Sequence, residues 1–267
     1  MCGIVGYIGQ RRAYDILIQG LHRLEYRGYD SSGVAMVSDA GQLNIYKSKG
    51  KVEALEHFAS NKDLSGTIGI AHTRWATHGE PSDVNSHPHF NMDRTIAVVH
   101  NGIIENYMEL KEELQAEGVV FLSQTDTEVV AHLVDKYYEG NLLDAVYKAT
   151  QKLRGAYALG VVCADNNNEL VAVRKDSPLV VGLGEDENFI ASDIPAILKY
   201  TRDEYKTLGR YSTDINTYVE SQYAHWVVDG GVDKEWDEYL SILNEMGLKE
   251  LLKLYDTAYN RYLKSQQ

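Results

Sequence analysis

Short apolar runs rich in β-branched residues, spread over the first 191 positions, most constrain what this chain can fold into: Ile4-Val5, Gly33 to Val37, Ile68 to Ala71, Thr95 to Val99, Tyr157 to Val162, Leu170 to Val173, Leu179 to Leu183 and Phe189 to Ala191. They predict strands. Between them, apolar residues recur at helical spacing in Ala13, Ile16, Leu17, Leu21 and Leu24, then in Tyr107 to Ala116, Val129 to Tyr137 and Leu142 to Leu153. After Lys152 the runs follow one another with only short turns, expected at Asn166-Asn167-Asn168 and Gly184-Glu185-Asp186. A parallel crossover needs a dozen or more residues, so these turns call for antiparallel hairpins. The pattern as a whole predicts a layered α+β domain.

Near Asp203 the texture changes. All 4 prolines lie before it and 8 of the 19 tyrosines after it, and the strand-like runs nearly stop. The chain therefore divides into residues 1–203 and a mainly helical tail, 204–267, with helical periodicity over Glu235 to Met246 and Leu248 to Leu263 and a break at Gly247. With 39 acidic against 26 basic residues, a formal charge of −13 argues against nucleic acid or an anionic membrane as the main partner. Two cysteines, Cys2 and Cys163, cannot make a disulfide framework. No charged segment followed by a long apolar one appears near Met1, and no window approaches the roughly 18 apolar residues of a membrane span. A cytoplasmic setting is the expectation. Self-association is compatible with the sequence.

The chemistry-bearing residues fall in a few motifs. Cys2, directly after Met1, would become the first residue once the initiator is removed. Its α-amine, with an ordinary pKa of about 7.7–8.0, could then take the proton of its own thiol. An accidental cysteine is the competing reading. The glycines of Cys2-Gly3-Ile4-Val5-Gly6 admit close approach at a strand start. Arg27-Gly28-Tyr29-Asp30-Ser31-Ser32-Gly33 is either a functional loop or a glycine-rich turn with a surface Arg-Asp pair.

His72-Thr73-Arg74-Trp75-Ala76-Thr77-His78-Gly79 stands at a strand end, where Arg74 is either solvated or a bidentate fork for a carboxylate. Asn101-Gly102 is a common turn dipeptide, or alternatively a side-chain amide and a backbone N–H aimed at a developing oxyanion. Thr125 and Glu128 fit a capping box at a helix start, which makes Asp126 either a first-turn acid or a cleft residue able to hold an ammonium. Five histidines, His72, His78, His87, His89 and His100, fall in one short stretch. None has H-E-x-x-H spacing and no cysteine cluster joins them, so they read as structural and no metal or other cofactor is expected.

Taken in this order, together with Ser192-Asp193-Ile194-Pro195-Ala196, these motifs resemble the class II glutamine amidotransferases, the N-terminal-nucleophile glutaminase domains. The Arg27 to Gly33 wording is nearest to the glutamine–fructose-6-phosphate aminotransferase branch of that family. The resemblance covers residues 1–203 and implies a four-layer αββα Ntn-hydrolase sandwich that hydrolyses L-glutamine to glutamate and ammonia through a Cys2 thioester. It implies Cys2 as nucleophile, Asn101 and Gly102 as oxyanion hole, and Arg74 and Asp126 as partners of the glutamine carboxylate and amine. It further implies that Thr77 and His78 line that pocket, with Trp75 and Arg27 in the wall and loop that close it. Fructose 6-phosphate would be met only through sugar-isomerase domains, which 64 further residues cannot encode. Residues 204–267 instead resemble the C-terminal end of a lipoprotein-type extracellular solute-binding protein, a tail of different origin that leaves the sandwich open to lacking its last strands.

Overall fold

The computed structural model describes residues 2–27, 29–75, 80–200, 203–253 and 255–256; at 27, 203–214 and 229 only the backbone is described. The chain divides into two compact units, Met1–Tyr200 and Thr201–Gln267.

In the first unit the N-terminal strand is central. Strand β1 (Gly3–Ile8) lies in a six-stranded antiparallel sheet with β2 (Ser31–Val37), β3 (Leu43–Lys49), β4 (Ile68–Arg74), β9 (Val180–Leu183) and β10 (Asn188–Ala191), in the order β3-β2-β4-β1-β10-β9. A second antiparallel sheet runs β5 (His89–Phe90), β6 (Ile96–Gly102), β7 (Tyr157–Cys163) and β8 (Asn166–Lys175). Helices α1 (Ala13–Leu24) and α2 (Val52–Ala59) precede β4, and α3 (Tyr107–Ala116), α4 (Glu128–Tyr137) and α5 (Leu142–Thr150) connect β6 to β7.

Three buried apolar clusters show how these parts are layered. Leu17, Leu21 and Leu55 of α1 and α2 pack on Val5, Tyr7, Val34 and Met36 of the first sheet. The opposite face of that sheet, with Ile4, Ala35 and Ile70, meets Ala97, Val99 and Val162 of the second. Ile96, Val98 and Leu159, on the far face of the second sheet, receive Leu110, Val130, Leu133 and Val146 of α3, α4 and α5. The order is helix, sheet, sheet, helix. Neighbouring residues such as Ile4 and Val5, or Ile96 and Ala97, enter different clusters because strand side chains alternate. With both faces covered, the central strands are apolar throughout, which is why they read as runs in the sequence. Each large side chain so buried stabilises the fold by about 1.5–3 kcal/mol.

Several expectations need correction. The turn expected at Asn166-Asn167-Asn168 belongs to β8: Cys163 pairs with Asn166, so the hairpin closes through Ala164 and Asp165, next to a register shift at Val162/Cys163. Strand β6 does not end at Val99 but continues through Asn101 and Gly102, which pair with Ala158 and Tyr157. The capping box is not formed. Thr127 is the N-cap of α4 without a side-chain bond, and Glu128 reaches back instead to the Leu122 and Ser123 N–H groups at 2.8 and 2.6 Å. Strand β3 and helix α2 were not anticipated; β3 is a half-exposed edge whose Leu43-Asn44-Ile45-Tyr46-Lys47 alternation contains no apolar run.

The second unit holds α6 (Asp203–Asp229) and α7 (Val232–Glu245), with helix again at 248–253. The sequence reading placed α7 within a few residues and missed α6, whose charged and polar residues give little apolar periodicity. Of the second expected helix, 254 and 257–263 lie outside the described residues. Ile215, Leu243 and Leu251 form a small core with Tyr218, Tyr239 and Leu248 around it. Among the described residues no helix is long and apolar enough to cross a membrane.

Gly33 explains one motif position without any chemistry. A Cβ there would stand 2.1 Å from the His87 carbonyl oxygen, so only glycine lets β2 pass this segment. Gly33→Ala should therefore destabilise the domain by about 1–3 kcal/mol or more, as an overpacked core position does, read as a lower urea midpoint. An unchanged midpoint would mean that the two segments are not in contact.

Candidate active site

Cys2 sits at the entry to β1, and pairing of Gly3 with Thr73 brings it beside the end of β4, at Arg74 and Trp75. The Trp75 N–H donates to Cys2 Sγ at 3.1 Å. Burial pushes the Cys2 thiol pKa up; the Trp75 N–H and the Arg74 guanidinium oppose this, while Asp30 adds to it. The sulfur is thus held protonated by its surroundings until a base takes the proton.

Asn101 arrives from the other sheet. Its Nδ2 donates to the Cys2 carbonyl oxygen at 3.1 Å, while its Oδ1 lies 3.0 Å from His72 Nε2. An amide nitrogen must face the Cys2 carbonyl, so the oxygen faces His72 and His72 Nε2 must carry the proton. The same Nε2 is 3.0 Å from the His100 carbonyl oxygen, a second acceptor that demands the same tautomer. His72 is accordingly neutral; burial lowers its pKa to about 3.

Gly102 supplies a backbone donor. The Ile103 N–H donates to Ala156 O at 3.0 Å, so in the alternation of an antiparallel ladder the adjacent Gly102–Tyr157 pair is not hydrogen-bonded. The Gly102 N–H then faces the opposite edge of β6, where β5 pairs only with Ala97 and Val98. With φ at 124°, Gly102 has a conformation that L side chains rarely adopt, and a Cβ there would meet Ala156 O at 2.0 Å.

These residues border one cleft of about 410 Å³, lined by Cys2, Arg74, Trp75, Asn101, Gly102 and Asp126. Arg74 is almost fully buried, with its Nη1 3.9 Å from Asp30 Oδ1. Asp126 Oδ2 accepts the Ile104 N–H at 2.8 Å. The cleft thus carries a buried cation, a buried carboxylate, and a thiol beside amide donors. Thr77 and His78 lie outside the described residues, as does the side chain of Arg27, whose backbone forms a 3-10 turn after α1.

Sequence reasoning missed Ser177 and Pro178, which line the cleft from the loop after β8, and Thr127, whose Oγ1 contacts His87 Nε2 at 2.9 Å and His100 Nδ1 at 2.8 Å. Nothing in the sequence separates those residues from an ordinary loop or helix start. His72, His87, His89 and His100 are all buried, with the His72 and His87 rings stacked at 4.1 Å and those of His87 and His89 edge to face at 4.7 Å. Among the described residues no group of His, Cys, Asp or Glu is arranged to hold a metal ion.

A family model described as a glutamine amidotransferase domain matches residues 72–199. Glutamine–fructose-6-phosphate aminotransferase [isomerizing] of Clostridium acetobutylicum is 61% identical over 205 residues, 77% of this chain and 34% of that protein. The protein of the same name from Clostridium perfringens is 62% identical over 205 residues, 77% of this chain and 33% of its own length. This chain carries a glutamine amidotransferase domain. Among solved structures, the glutamine phosphoribosylpyrophosphate (PRPP) amidotransferase from B. subtilis superposes with a TM-score of 0.63 at 29% identity, covering 73% of this chain and 43% of that one. The fold is that of the Ntn hydrolases, and the amidotransferase domain is an enzyme domain. The chain spans about a third of the length of the curated relatives it matches.

Burial lowers the pKa of all four clustered histidines, so the folded domain keeps them neutral where the unfolded chain, near pKa 6.5, takes up protons. Their neutrality is without effect on stability above pH 6.5. Below it each removes up to about 1.4 kcal/mol per pH unit. Glu128, held down to about 2, adds a further loss only below the ordinary carboxylate range. The amidotransferase domain should be several kcal/mol less stable at pH 5.5 than at pH 7.5 by guanidinium denaturation; equal stability would show that these histidines are not neutral when folded.

Proposed function

We propose that residues 1–203 form the glutaminase half of a glutamine–fructose-6-phosphate aminotransferase, hydrolysing L-glutamine to glutamate and ammonia and so supplying nitrogen for D-glucosamine 6-phosphate. The observation that carries this reading is the placement of Cys2 beside Asn101 and Gly102 in a cleft that also contains Arg74 and Asp126. The high identity to aminotransferases of that name supports the choice of pathway branch. Amination of fructose 6-phosphate is assigned to sugar-isomerase domains of the kind such synthases carry. A glutaminase domain of another class II amidotransferase is the alternative within the same chemistry. The setting we infer is cytoplasmic.

In this mechanism the mature chain begins at Cys2, and its α-amine takes the thiol proton. The thiolate attacks the glutamine carboxamide carbon, and the oxyanion is held by the Gly102 N–H and by the Asn101 Nδ2 proton not used on the Cys2 carbonyl. Collapse of this adduct expels ammonia, which leaves with the proton held by the amine. Water then hydrolyses the γ-glutamyl thioester. Arg74 and Asp126 recognise the carboxylate and ammonium of glutamine, which fixes the opposite end of the side chain at the nucleophile. Thr77, His78, Trp75 and Arg27 complete the pocket in this reading.

Glutamate release from glutamine tests it directly. Cys2→Ser should lose nearly all turnover, because a hydroxyl ionises far less readily than a thiol, and intact mass of an active preparation should show Met1 removed. Asn101→Ala should lower kcat about a hundred- to a thousandfold with a smaller effect on KM, whereas Arg74→Lys should act mainly on KM. An active chain that retains Met1, or Arg74→Lys with unchanged KM, would refute the corresponding assignment.

We also infer that residues 204–267 are of different origin and take no part in the chemistry. A chain ending at Asp203 should keep full glutaminase turnover; loss of turnover through unfolding would refute this.

A further inference from the structure

A second cavity, of about 400 Å³, lies in the amidotransferase domain and shares no lining residue with the Cys2 cleft. Its walls are apolar: Ile45, Phe90, Val84 and Leu122, the last two 51% and 61% exposed. Two cations face it around one aromatic ring. Lys47 Nζ lies 5.4 Å from the Phe90 ring centroid, and Arg94 Cζ lies 5.0 Å from it. Arg94 occupies the left-handed region, with φ at 56°, in the turn between β5 and β6 that places it there.

These two cations have no carboxylate partner within 4.0 Å among the described residues. The carboxylates of the cavity are already engaged. Asp83 Oδ1 accepts the Lys49 N–H at 2.8 Å, and Glu128 accepts from the Leu122 N–H, the Ser123 N–H and the Ser123 hydroxyl. Lys47 makes one bond, to the Val84 carbonyl oxygen at 3.0 Å. Burial lowers its pKa to about 8 against the opposing attraction of Glu128 and Asp83, neither of which reaches it as an ion pair. An anion lodged between Lys47 and Arg94 would meet both cations directly, and an apolar body attached to it would cover the exposed Val84 and Leu122.

We propose that this cavity is a second ligand site, which takes a small anion, carboxylate or phosphate monoester, bearing an aromatic or apolar body, and that its occupancy alters the Cys2 cleft. The connection is a single stretch of chain. Ser123 and Glu128 line the second cavity, while Thr125, Asp126 and Thr127 between them line the first. His89, on the wall of the second cavity, holds Thr125 Oγ1 at 3.0 Å through its Nε2. A ligand that shifts His89 or Ser123 therefore displaces the segment carrying Asp126. The effect on glutamine rests on the glutaminase reading above; the binding itself does not.

The test is calorimetric titration of the full chain with benzoate and with phenyl phosphate, beside acetate and inorganic phosphate as probes lacking the aromatic body. Saturable binding of at least one aromatic anion is expected, about tenfold or more tighter than its non-aromatic counterpart and about tenfold weaker in both Lys47→Met and Arg94→Ala. The two aromatic probes decide between a carboxylate and a phosphate head. Absence of saturable binding by either, or binding undiminished in both variants, overturns the site. Because this readout needs no turnover, it holds even for a chain that proves inactive on glutamine. Where turnover is present, the bound aromatic anion should change the KM for glutamine in the wild type and not in Arg94→Ala; an unchanged wild-type KM at saturation overturns the coupling.

Discussion

The Asn101 carboxamide is the joint on which the site depends. It spans the two sheets, accepting from His72 on β4 and donating to the Cys2 carbonyl at the head of β1. Because an amide has one acceptor end and one donor end, this pair of partners fixes its orientation, and with it the tautomer of His72. Remove either partner and the amide is free to turn, which would present oxygen in place of nitrogen to the cleft. The apolar residues between the sheets hold the layers together, and this polar contact joins them at the end where the Cys2 cleft opens.

Behind Asn101 the histidines form a buried polar wall. One ring nitrogen of each meets a hydroxyl or a carbonyl: Thr127 serves His87 and His100, Thr125 serves His89, and the His100 carbonyl serves His72. The other nitrogen of His72, His87 and His100 is buried without a partner among the described residues, and a buried polar group so placed costs about 1–3 kcal/mol. The segment 122–128 belongs to this wall, which is why Asp126 is placed by the same interactions that close the protein interior.

Much of this was legible in the sequence, for identifiable reasons. Strands buried on both faces announce themselves as apolar runs, so β1, β4, β6 and β7 were found, while β3, half exposed and at an edge, was not. Cys2, Arg74, Asn101, Gly102 and Asp126 were singled out because each is a residue type whose chemistry exceeds its structural use at a strand or helix end, and the structure brings them to one cleft. Ser177, Pro178 and Thr127 were missed since their roles come from contacts between distant segments, to which periodicity is blind. The capping box failed for the same reason: Glu128 found donors at Leu122 and Ser123 that local pattern rules do not foresee.

The central position of β1 has a temporal meaning. Its Ile4 N–H is satisfied by Ser192 Oγ, a partner 188 residues away, and Val5 pairs with Ala191. A sheet with this strand in its middle cannot close until partners almost two hundred positions further along have been made, and pairing across such separations is slow. For the mechanism proposed above, topology thereby orders two events: trimming of Met1 has its opportunity while β1 still waits for its partners, and assembly of the cleft around Cys2 follows.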